Sequence, residues 1–127
     1  MQLSTKMEQL CKANSNIPVS KLMPVMEKLD HYAKHPDPQL KDKIPPEVAK
    51  ITTETKDVVS KSGNVKYCDD KERKGLTQAI QNRVMRYAPA VQSAYKQNCN
   101  DFAKWMDSPA GKKLVSEVSS LVEKSMA

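Results

Sequence analysis

The stretch Pro89–Met106, PAVQSAYKQNCNDFAKWM, decides the fold. Val91, Tyr95, Cys99, Phe102 and Met106 recur every three or four residues, with Ala94, Asn98 and Trp105 beside them. This spacing places apolar side chains on one face of a helix, whereas a half-buried strand would alternate every two residues. Directly downstream, Ser108 precedes Pro109. A hydroxyl caps a helix N-terminus, and proline is tolerated in the first turn because the N–H it lacks would be unpaired there anyway. A final helix from Pro109 to about Lys124 then presents Leu114, Val118, Leu121 and Val122.

Upstream, Asp69 or Asp70 can cap a helix whose stripe is Leu76, Ile80, Val84 and Tyr87, interrupted at Ala88 and Pro89. Pro45 and Pro46 open a helix carrying Val48, Ile51, Thr55, Val58 and Val59, stopped by Ser62 and Gly63. Thr52 and Thr55 dilute its stripe, so it is expected to pack peripherally. His35–Pro38, reading HPDP, is a loop, followed to Lys43 by a turn or one helical turn. From Pro18 to Lys34, Val19, Leu22, Met26, Leu29 and Ala33 form a stripe widened by Val25 and Tyr32. Pro24 inside it either kinks that helix or begins a new one. Leu3–Ala13 has Leu3, Met7, Leu10 and Cys11 on one face, with Thr5 and Glu8 at capping-box spacing. The expectation is an all-α chain: one domain over residues 1–127, a compact bundle of five to six helices kinked or broken at Pro24 and Pro89.

Composition agrees. The 127 residues are 39% hydrophobic and 28% charged, enough for one core without metal or disulfide staples. Three glycines and few aromatic residues argue against a sheet bounded by tight turns. Apolar runs fall far short of the roughly 18–20 residues that cross a bilayer, and Lys6 and Glu8 stand where a signal peptide would be apolar.

Phe102, Trp105 and Met106, followed by Ser108, Pro109, Ala110, Gly111, Lys112, Lys113 and Leu114, resemble a group of small exported bacterial helical proteins of unknown function. In these an aromatic helix leads into a Ser-Pro-x-Gly-Lys helix start. The resemblance implies a helical domain made with a signal peptide that this chain, beginning at Met1, does not carry, and hence a periplasmic or secreted location. A cytoplasmic location is the alternative. It brings no catalytic residues.

Cys11, Cys68 and Cys99 allow three single disulfides with one thiol left over, and their pairing is open. Cys11 and Cys99 lie on or beside apolar stripes, as small hydrophobes do, while Cys68 precedes a helix among polar neighbours. If residues 70–87 and 90–106 pair antiparallel, Cys68 lies roughly 15 Å out of register with Cys99. That exceeds disulfide reach unless the Cys68 region folds back.

Catalytic groups are scarce. His31 and His35, four apart, could share a metal with Asp30 or Asp37, but they project opposite Leu22 and Met26 and read as surface histidines. No metal or other cofactor is expected. Asp69 and Asp70 are adjacent and diverge on a helix; they read as complements to the helix dipole. The Ser108–Lys113 helix start could hold an anion, though capping accounts for it.

The charge anomaly is the acid-free span Arg73–Asn100, which holds Arg73, Lys74, Arg83, Arg86 and Lys96 in a chain of net charge +6. Arg83 either snorkels or pairs with an acid such as Asp101 or Glu117, or else Arg83, Arg86, Tyr87 and Lys96 border a groove near Pro89. The leading functional expectation is a non-enzymatic helical module that binds another protein through this basic, partly apolar surface. The alternative is a small carrier of an amphiphilic or lipid-like ligand, with Met7, Met23, Met26 and Met106 lining a cavity and Arg83 taking the head group. Nucleic-acid binding ranks third, since it calls for a denser basic face.

Overall fold

Six α-helices build the fold over residues 3–127, the part of the chain that the computed structural model describes: α1 Leu3–Ala13, α2 Met23–Lys34, α3 Glu47–Lys61, α4 Asp70–Val84, α5 Ala88–Asp107 and α6 Pro109–Met126. The side chain of Leu3, part of the first stripe, lies outside the described residues. No strand forms among the described residues, and the fold is all-α.

Both suspected prolines sit where a helix starts. A 3-10 turn, Val19–Leu22, precedes α2, so Pro24 falls in its first turn. A second 3-10 turn, Met85–Tyr87, separates α4 from α5 and leaves Pro89 in the first turn of α5. The bend within α5 lies at Asn98, where φ is −120° and ψ 20°. Its side-chain amide donates to the Ala94 carbonyl at 3.1 Å, inserting into the helical hydrogen-bond ladder. Asp69 caps α4 by accepting the Lys71 and Glu72 N–H groups at 3.0 Å each, and Ser108 caps α6 by accepting that of Gly111. Thr5 lies inside α1 and so does not act as its cap.

Residues 17–20 run beside residues 63–67: Val19 N–H donates to the Val65 carbonyl at 2.8 Å and Tyr67 N–H to that of Ile17 at 2.9 Å. This clasp buries Ile17 and Val19 to 1% exposure, with Met7 from α1 and Met126 from α6 against Ile17. It also folds the Cys68 region back, but toward α1. Cys11 and Cys68 form a disulfide with Cα atoms 5.7 Å apart, and Cys99 is a free, exposed thiol. The hydrophobic role expected of Cys99 is therefore not realised.

The ranking of stripes inverts. α3, expected at the periphery, buries Val58 and Val59 and makes the most extensive helix contacts, with α2 on one side and α4 on the other. α5, with the cleanest stripe, has no buried residue. Tyr95 is 61% and Met106 47% exposed, and Tyr95 stacks on Phe102 at 6.1 Å.

The turn from α5 to α6 depends on Gly111. A Cβ placed there would lie 2.2 Å from the Trp105 carbonyl oxygen and 2.8 Å from Met106 Cα, so only glycine lets the two backbones approach. Gly111→Ala is expected to lower unfolding stability by about 3 kcal/mol through forced separation of the helices. Replacing Cys11 and Cys68 together with serine is expected to cost about 2–4 kcal/mol, because the bridge closes a long loop in the unfolded chain. Urea unfolding of each variant checks both values.

Candidate functional site

The α2–α3 interface is organised by one carboxylate. Asp30 is only 5% exposed. Its Oδ1 accepts the hydroxyls of Thr52 and Thr53, each at 2.9 Å, and its Oδ2 accepts Lys34 Nζ at 2.8 Å and Lys56 Nζ at 3.2 Å. Burial alone would push this carboxyl up; the bonds from Lys34, Thr52, Thr53 and Lys56 outweigh it and hold the group far below its ordinary value. Of the two threonines that dilute the α3 stripe, Thr52 belongs with Thr53 to the polar half of this contact.

Thr52 also belongs to the wall of a cleft of about 560 Å³. Leu29, Tyr32 and Ala33 of α2 form one side, Val48 and Thr52 of α3 the floor, and Trp105 with Leu114 the far side across the α5–α6 turn. Pro36, Pro38, Leu40 and Ile44 supply the rim. The segment that carries them is held by its own turns: Leu40 N–H donates to the Asp37 carbonyl at 2.8 Å, Ile44 N–H to that of Leu40 at 3.1 Å, and Leu40 is buried. Four prolines in residues 36–46 restrict it further.

Polar groups are few at this cleft, and most are engaged. Glu117 Oε2 accepts the Tyr32 hydroxyl at 3.0 Å and lies 3.3 Å from Lys28 Nζ, while Lys113 Nζ stands 3.9 Å from Oε1. The Tyr32 hydrogen bond first, then Lys28, holds the Glu117 carboxyl below its usual range, and the same bond raises the Tyr32 phenol. Asp37 Oδ1 accepts the N–H of Gln39 at 2.9 Å. Trp105 Nε1 is buried and has no acceptor among the described residues.

The residues expected to form a basic groove lie elsewhere. Arg83 pairs with Asp57 at 2.8 Å, not with Asp101 or Glu117, and depresses the Asp57 carboxyl together with Lys61. Arg86 reaches Glu54 at 3.3 Å and donates to the Tyr87 hydroxyl at 2.8 Å, its guanidinium 4.9 Å from that ring's centroid. Both arginines face α3, while Lys96 is exposed on α5 and makes no ion pair among the described residues. Tyr87 lines a shallow hollow with Lys34, Ala49, Lys50, Thr53 and Glu54, which Arg83, Arg86 and Lys96 do not line. The methionine cavity is not formed either: Met7 is in the core, Met106 is exposed, and neither they nor Met23 and Met26 line the cleft. His31 and His35 are exposed with ring centroids 4.7 Å apart, and among the described residues no three potential metal ligands cluster. Among the described residues no helix is long and apolar enough to cross a membrane.

The cleft residues passed as ordinary members of separate stripes. The one local signal for them is the concentration of prolines around Leu40 and Ile44. The chain matches no protein-family model, and no curated protein or solved structure matches it at a significant level.

Asp30→Asn keeps an acceptor for the threonines but removes the charge that compensates two lysines. Lys34 and Lys56 can turn to solvent, so the expected loss is about 2–3 kcal/mol near neutral pH. Because folding lowers the Asp30 carboxyl, its contribution is complete above its unfolded value and lost as pH falls through the folded one. Urea midpoints of wild type and variant should therefore differ constantly above about pH 5 and converge in stronger acid.

Proposed function

We propose that this protein is a non-enzymatic binding domain that takes a small, largely apolar molecule into the cleft between α2, α3 and α6. The observation that carries the reading is the cleft itself. Its volume of about 560 Å³ falls in the range of small-molecule sites, and its walls are mostly aliphatic and aromatic with a few convergent polar groups. The Cys11–Cys68 bridge supports residence in an oxidising compartment, the periplasm or outside the cell.

A second reading, docking of another protein, draws on α5. Tyr95 and Met106, with Met85 before the helix, leave apolar surface exposed beside Cys99. The basic surface first considered for that role has less to offer, because Arg83 and Arg86 are engaged by α3.

The uncharged dye phenylnaphthylamine separates the two. Binding at one site is expected, with quenching of Trp105, the single tryptophan of the chain. Ala110→Phe, at an exposed position of the cleft wall, should weaken binding about tenfold or more. Tyr95→Ser combined with Met106→Ser should leave it unchanged. The opposite pattern, or no binding, would count against the cleft.

A further inference from the structure

We infer that the molecule held in the cleft is a carboxylate amphiphile, its apolar tail among Leu29, Val48 and Leu114 and its head group at Lys113. The inference rests on the cleft being a binding site and adds the chemistry of its mouth. Glu117, Asp37 and Lys113 all line the cleft, with Lys28 against Glu117, and they are not equally engaged. Glu117 is satisfied on Oε2 by Tyr32 and Lys28, which do most to hold it ionised, and Lys113 contributes least. Asp37 is turned to its own loop through the N–H of Gln39. Lys113 is the cation left over: its only ion pair among the described residues is the 3.9 Å contact to Glu117, and its side chain is 78% exposed.

Two further features favour an anion at this place. Lys113 stands near the start of α6, an 18-residue helix whose N-terminal end carries partial positive charge. The chain as a whole has net charge +6, which attracts anions at longer range. Cationic amphiphiles would meet Lys113 and Lys28 at the same mouth. A carboxylate displaces only a loose, solvent-exposed contact, and Glu117 keeps its two stronger partners. The head-group role expected for Arg83 thus passes to Lys113, because Arg83 lies on α4 and is bound to Asp57.

Three probes of matched chain length, decanoate, decanol and decylamine, test the assignment, each titrated below its aggregation concentration and followed by Trp105 fluorescence. Decanoate is expected to bind about fivefold more tightly than decanol, as one exposed charge pair provides, and decylamine most weakly. Lys113→Met should bring decanoate to the level of decanol while decanol itself is unaffected. Lys112→Met, one residue away and not part of the cleft wall, should preserve the preference. Decanol or decylamine binding as tightly as decanoate, or a preference that survives Lys113→Met, overturns the carboxylate assignment and leaves the cleft standing. Failure of all three probes to bind overturns both.

Discussion

A carboxylate shut between two helices is tolerated only when its oxygens are matched by donors, and this requirement sets the frame of the molecule. Asp30 meets it with two hydroxyls and two ammonium groups, three of the four from α3. Hydrophobic contacts alone would permit α2 and α3 to slide by a turn; three directional bonds from α3 to one group do not. Thr52 belongs both to that lock and to the floor of the cleft, so the position of the floor is fixed by the same bonds.

The remaining wall is placed by a backbone constraint. Ser108 donates to the Trp105 carbonyl and caps α6, and Gly111 lets the first turn of α6 lie against the last turn of α5. Trp105 is thereby brought opposite Tyr32. Behind the cleft, the clasp of residues 17–20 on 63–67 and the Cys11–Cys68 bridge join both halves of the chain around Ile17 and Met126. α4 is attached to the outside of α3 by half-buried Leu76 and Ile80 and by Arg83 on Asp57, which explains why it contributes nothing fully buried. Most of the cleft wall comes from α2, α3, α6 and the segment of residues 35–44, with Trp105 from α5.

Helix positions were legible because a 3.6-residue repeat, capping residues and prolines all act locally. Asp69 and Ser108 cap where their types indicate, and Pro24 and Pro89 open helices. The order of burial was not legible in the same way. An apolar stripe shows that a helix has a face that can be covered; whether another element reaches it is a property of the whole fold, and Tyr95 is left largely exposed. Threonine counts against burial on a hydropathy argument, yet Thr52 and Thr53 are where α3 meets α2, because a buried partner satisfies their hydroxyls. Arg83 and Arg86 have no acid in their own span, and the partners suggested for Arg83, Asp101 and Glu117, are not the ones it finds. The compensating Glu54 and Asp57 sit three residues apart on α3, on one face, a pattern that could have been matched to the Arg83–Arg86 spacing. The cleft draws one to four residues from each of four helices and more from a loop, so no window of sequence contains it.

The central claim is that the volume bounded by Leu29, Leu40, Ile44, Val48 and Leu114 is a place where a ligand resides. Methyl-resolved NMR of the protein during titration with a medium-chain carboxylate addresses it most directly. The account predicts saturable shifts at those five residues with one common affinity, and none at exposed Met85 and Val115. Shifts concentrated at Met85 and Met106, or scattered without saturation, would contradict it.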